Sequence, residues 1–169
     1  MSDDRDAKTE SKTANRQITW AAIAFGAAFS LHGIDHLRRG MAASPPSIMI
    51  GGMIQGLFVA TAVVLVLRQH RWSPGAAIVV GFGSAALFVY AHLLPTFLPS
   101  YQDSFTSGPR INVTWFSWLT AGAEIASGLV LGYVGLRARA TRHVSSRQAY
   151  PRDRSPNRDR RRRIRRPQG

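Results

Sequence analysis

The sequence predicts an all-α membrane protein: an up-down four-helix transmembrane bundle with disordered cytoplasmic tails. Three observations predict it. Nearly all the apolar residues of the 169 lie between Ile18 and Leu136, although the mean hydropathy of the whole chain is near neutral. Within that stretch four runs are each long enough to cross a hydrocarbon core of ~30 Å, which takes about 20 helical residues. Lysine and arginine divide between the loops very unequally, as membrane topology requires.

Residues 1–17 (MSDDRDAKTESKTANRQ) mix acidic and basic groups with almost nothing apolar. A segment that buries so little is expected to stay disordered. The first span, 18–39, is longer than a signal-peptide core. Ala42-Ala43-Ser44 would serve as a cleavage site, but an uncleaved first span fits the length better. The remaining spans are 48–68, 74–94 and 113–136, and residues 137–169 form an Arg-rich tail. Prolines punctuate them at Pro45-Pro46, Pro74, Pro95, Pro99 and Pro109, where helices begin or have just ended. Trp20, Trp72, Trp115, Trp118 and Tyr133 fall near the expected interfaces.

With four spans both termini share a side with the turn carrying Arg68 and Arg71. That side holds 19 of the 22 lysines and arginines, against Arg38, Arg39 and Arg110 on the other. The positive-inside rule therefore sets both termini in the cytoplasm. The pronounced bias of arginine over lysine suits a GC-rich bacterial genome, and hence a bacterial inner membrane. Small residues recur at helical spacing, as in Gly52/Gly56/Ala60, Ala77/Gly81/Ala85 and Ala121/Gly128/Gly132. In lipid such faces let helices approach closely.

Several chemistries drop out. With no cysteine there is no disulfide, thiolate metal site or thiol nucleophile. Gly81-Phe82-Gly83-Ser84 lacks the Gly-Lys of a phosphate loop and sits inside a span. Ser84 and His92 stand ~12 Å apart along one helix, too far for a catalytic dyad.

What remains is a set of polar groups at membrane depth, where ionisable side chains are rare and tend to be functional. His32, Asp35, His36 and Arg39 share one helix face at i, i+3, i+4 and i+7. Counted along their helices, His32, Gln55 and His92 lie ~6–10 Å below the outer boundary, and Glu124 near ~16 Å. Three readings stay open. In the first, His32, His36 and His92 ligate a metal ion or haem, with Asp35 or Glu124 as ligand or supporting carboxylate. In the second, the same groups relay protons. In the third they only bond helices together, Asp35 pairing with Arg38 or Arg39 and Glu124 with a histidine. The loop between spans three and four carries Asp103 as a further polar group. Its Phe97, Leu98, Tyr101 and Phe105 either rest at the interface or cover the bundle mouth.

The tail reads as a segment bound to anionic headgroups through Arg137, Arg139, Arg142 and the run Arg160, Arg161, Arg162 and Arg163. Tyr150 is the only Phe, Trp or Tyr among the tail's arginines, so there is no stacking platform for nucleic acid. The working function is a small inner-membrane protein with a His/Asp/Glu site in the outer leaflet. The alternative is a non-catalytic assembly subunit whose small-residue faces bind a membrane-protein partner or a second copy.

Overall fold

A computed structural model describes residues 3–148. Four helices dominate: α1 (Asp3–Arg39), α2 (Pro46–Leu67), α3 (Ser73–Phe88) and α4 (Trp115–Gln148). A π-helical turn, Val89–Leu93, extends α3, and single 3-10 turns sit at Met41–Ala43 and Pro99–Tyr101. No strand occurs among the described residues. A stretch long and apolar enough to cross a membrane occurs in each of α1, α2 and α4, and in α3 taken together with its π-helical extension to Leu93.

The helix ends follow local chemistry. Gly40 takes a φ of 94°, which a side chain resists, and its N–H closes α1 onto the His36 carbonyl at 3.1 Å. Pro46 then opens α2 from a first-turn position where its missing N–H costs nothing. Gln69, at φ 50°, turns the chain sharply into α3. Direction is readable from side-chain contacts. Gln69 Nε2, past the end of α2, donates to Thr19 Oγ1 on α1 at 3.2 Å, and Arg142 near the end of α4 donates to Ser73 Oγ at the start of α3. Each helix thus runs against its chain neighbours, and α1 and α3 finish at the same end.

Packing is uneven. The most extensive contacts are those of α4 with α3 and α1, whereas α2 leans more lightly on α1 and α3. A Cβ on Gly81 would stand 2.6 Å from the Gly128 carbonyl oxygen, so α3 and α4 meet backbone to backbone. Phe25, fully buried, fills the space where α1 crosses Gly128. On α2 the small residues serve differently: Gly51 and Gly52 face open space. The bundle is apolar outside and polar within. Trp20, Met53, Leu57 and Val79 lie exposed, while Asp35, Ser117 and Glu124 are fully buried. That is the reverse of a bundle built for water.

Two bounds depart from expectation. The stretch expected to be disordered at 1–17 is helical from Asp3 onward, and α4 continues past Leu136 to Gln148. Burial is not needed for this. Once a span supplies the nucleus, each further residue adds a hydrogen bond at little cost, and Lys8, Glu10, Lys12 and Ala14 are good helix formers. Arg160, Arg161, Arg162 and Arg163 lie outside the described residues.

Candidate metal centre

The common end of α1 and α3 gathers the histidines. On α1, His32 and His36 stack one turn apart, with Nε2 atoms 3.1 Å from each other. The π-helical turn after α3 delivers His92, whose ring centroid lies 4.9 Å from that of His32 and 5.7 Å from that of His36. One nitrogen from each of the three rings falls within 4.8 Å of the others. Phe88 and Phe105 close around them, at 4.8 Å from His32 and 4.7 Å from His92 between centroids. His32 and His92 are buried, and His36 retains a little exposure.

The outward nitrogens are all engaged, and the partners of His92 and His36 fix the tautomers of those two rings. His92 Nδ1 lies 3.0 Å from the Asp103 carbonyl oxygen, which can only accept, so Nδ1 carries the proton. His36 Nδ1 lies 3.0 Å from Ser44 Oγ, whose own proton goes to Asp103 Oδ2 at 2.7 Å. Ser44 therefore accepts from His36. His32 Nδ1 meets Thr120 Oγ1 at 3.3 Å, and Thr120 donates to the Ser117 carbonyl at 3.1 Å. His36 and His92 thus keep lone pairs on Nε2, and His32 shares a proton with His36 between Nε2 atoms 3.1 Å apart. A cation bound at that point would take the place of the shared proton. Imidazole–metal bonds of ~2.0–2.1 Å set neighbouring donors of a tetrahedral ion ~3.3 Å apart, close to the 3.1 Å between His32 and His36, with His92 offering a nitrogen within 4.8 Å of both.

Asp103 anchors the surrounding shell. Arg39 Nη1 and Nη2 grip its two oxygens at 2.5 and 2.8 Å, and the guanidinium lies 5.2 Å above the Phe105 ring. Burial alone would push the Asp103 carboxyl up. The hydrogen bonds from Arg39 and Ser44, with the Arg39 charge, outweigh it and leave the group below its ordinary value. Arg39 also donates to the Ile111 carbonyl, tying the long loop to the end of α1.

Other sequence candidates sit elsewhere. Asp35 is fully buried but turned to α4. Its Oδ1 takes both Arg38 donors at 2.8 and 2.9 Å, and Arg38 reaches on to Ser117 at 3.1 Å. The Asp35–Arg38 partnership is the structural one considered from sequence. Glu124 is fully buried, and neither carboxyl oxygen finds a hydrogen-bond partner among the described residues. The expected pairing of Glu124 with a histidine is not made, and neither acid joins the histidine cluster. Gln55 borders the site, and its buried Nε2 is likewise without a partner. In the loop, Phe97 points outward, Leu98 and Tyr101 edge the mouth, and Phe105 is wholly inserted. Ser44, Thr120 and Phe105 do much of the positioning. Sequence reasoning named Ser44 only within a candidate cleavage site and passed over Thr120, since neither carries a signal of its own.

Beside the cluster a cleft of about 710 Å³ separates α2 from α1 and α3. Its floor is His32, Phe88 and His92, and its rim is exposed at Met53, Leu87 and Tyr101. A second cleft, of about 660 Å³, lies at the opposite end among Trp72, Arg71, Arg139 and Arg142. Comparison with protein-family models, curated proteins and solved structures finds no match to this chain.

Proposed function

We propose that the protein is an integral membrane metalloprotein in which His32, His36 and His92 bind one divalent first-row transition ion through Nε2. The observation that carries this reading is the convergence of three rings: one nitrogen from each lies within 4.8 Å of the others, and each Nδ1 has a hydrogen-bond partner behind it. A metal-bound imidazole is held by a partner on its other nitrogen in the same manner. Three neutral nitrogens without thiolates suit zinc, copper, iron or nickel, and three protein ligands with an open position characterise catalytic rather than closed structural sites. The ion would supply Lewis-acid or redox chemistry at the cleft floor.

An ion fits better than haem. Bis-histidine ligation needs imidazoles on opposite faces of a macrocycle, whereas these rings touch one another edge to face. A metal-free proton relay is the weaker reading, because Asp35 is paired with Arg38, Glu124 is isolated from the histidines, and Asp103, which reaches His36 through Ser44, is gripped by Arg39. The assembly-subunit reading loses much of its footing too. Gly128, one of the positions at which a partner would be felt, is spent with Gly81 on the contact between α3 and α4, which leaves only the α2 face around Gly52 and Gly56 for such a role.

The membrane is the bacterial inner membrane, and both termini are cytoplasmic. Of the few basic residues at the metal end, Arg39 is buried against Asp103, and the opposite end carries Arg71, Arg139 and Arg142 around its cleft. The centre then lies in the outer leaflet. The Arg-rich tail rests on anionic headgroups.

The test is metal analysis of the full chain in nanodiscs after chelator stripping and equilibration with Zn²⁺. Near-stoichiometric zinc is expected in the wild type, with loss in His32→Ala and His92→Ala at unchanged helicity. Wild-type protein that retains no more zinc than the two variants would overturn the assignment.

A further inference from the structure

We infer that the cleft between α2 and the α1–α3 pair is the substrate channel of this centre, and that it takes a single-chain amphiphile whose oxygen headgroup ligates the ion. The inference rests on the proposed metal site and names what reaches it.

The cleft has the right chemistry at each level. At its floor, the lone pairs of His32, His36 and His92 would leave one side of a bound ion facing the opening, since Thr120, Ser44 and Asp103 occupy the backs of the rings. From α2, across the cleft, Gln55 offers an Nε2 that is buried and unpartnered, a donor waiting for an oxygen. A buried N–H without an acceptor is costly, so a ligand that supplies one is favoured over one that does not. Above the floor the walls turn apolar, with Phe29, Met53, Leu87 and Phe88, and no other charged side chain borders the space.

The width of the channel is set by residues that have no side chain. Gly51 and Gly52 line it from α2, and a Cβ at either would meet nothing within 4 Å. The gap is thus not a backbone contact like that at Gly81; it is clear space held open beside a lightly packed helix. The rim is exposed on the flank of the helices, where lipid would lie, so an acyl-like chain enters sideways from the bilayer. A volume of about 710 Å³ lies within the ordinary range for small-molecule pockets. Besides Gln55 and the ion, a charged or sugar-bearing ligand would find only the hydroxyls of Ser47, Tyr90 and Tyr101 among the lining side chains, and no acid, lysine or arginine.

Co²⁺-loaded full-length protein in nanodiscs provides the readout, because its visible absorption reports a change of ligand at the open position. The probes are acetohydroxamate and dodecanohydroxamate, sharing one oxygen headgroup and differing in the chain. Both should perturb the wild-type spectrum. In Gly52→Leu, which fills the channel without touching backbone, dodecanohydroxamate should bind at least about tenfold more weakly while acetohydroxamate is unchanged. Gly122→Leu, at an equally open glycine away from the cleft, should leave both alone. Gln55→Leu should weaken both probes to a similar degree. Protein that binds Co²⁺ but discriminates the two probes identically in wild type and Gly52→Leu would overturn the channel and leave the metal centre standing. Protein that takes up no Co²⁺ would remove the centre, and the channel with it.

Discussion

Ser44 Oγ donates to Asp103 Oδ2 at 2.7 Å, and that single bond decides which nitrogen of His36 keeps its lone pair. With its proton committed to the carboxylate, Ser44 can only accept from His36 Nδ1. The chain Arg39–Asp103–Ser44–His36 thus carries the charge of a buried ion pair to the orientation of one ligand. In Ser44→Ala the imidazole loses that partner and can rotate or change tautomer. Metal affinity should fall about 10–100-fold, as when other outer partners of ligating histidines are removed. Chelator competition measures it, and an unchanged affinity at unchanged helicity would count against the tautomer argument.

Thr120 holds His32 in the parallel way, from α4. Thr120→Val keeps the shape of the side chain and removes the acceptor, so it should weaken metal binding by a comparable factor while the bundle melts near the wild-type temperature. Because protons compete with the ion for the same nitrogens, both variants and the wild type should bind more weakly as pH falls. A variant that loses stability but not affinity would show that Thr120 serves packing alone.

The spans were legible because length and hydropathy of α1 through α4 answer directly to the thickness of a bilayer. The shared depth of His32 and His92 was legible for the same reason, as rise per residue is fixed. Rotation about the helix axes was not. The π-helical turn at Val89–Leu93 sets the direction of His92, and nothing in the run of apolar residues announces it. Depth also suggested joining Glu124 to the histidines, yet a carboxyl one or two turns below a site can face a different gap, as it does here. Asp103 was legible as a polar group of the loop, but its bond to Ser44 was beyond reach because the two arrive from loops 59 residues apart. The small-residue faces looked alike on every span. Only the packed structure separates the contact at Gly81 from the open space at Gly52.

Asp103 gives the fold an acid-sensitive point. Its folded-state value lies below the ordinary 3.8, so the ionised carboxylate stabilises the fold fully above that pH. The contribution is lost as pH falls through the lower folded value. Asp103→Asn leaves the buried Arg39 guanidinium uncompensated and should cost about 3–5 kcal/mol near neutral pH. Thermal melts against pH should show that part of the wild-type loss below about pH 4 is absent from the variant. Parallel acid limbs in both proteins would place the titrating group elsewhere.

The two glycine environments predict opposite behaviour. Gly81→Ala drives a Cβ to 2.6 Å from the backbone of α4, forcing α3 and α4 apart at a cost of about 1–3 kcal/mol. Gly52→Ala meets nothing, and replacing a mid-helix glycine should leave stability equal or slightly raised. Melting temperatures of the two variants in one detergent make the comparison. Equal destabilisation would mean that α2 packs more closely than its open glycines indicate.

Glu124 separates the ligand set from its surroundings. Its carboxyl is fully buried, has no hydrogen-bond partner among the described residues and stands outside the group of ligating nitrogens. A buried acid held this way weakens a fold more than an apolar group of the same size. Glu124→Met should therefore raise the melting temperature, and Glu124→Gln should change it little. Zinc stoichiometry and affinity should match the wild type in both. Loss of zinc in Glu124→Gln, with the helices intact, would draw the carboxylate into the coordination sphere and require α4 to rotate toward His32 when the ion binds.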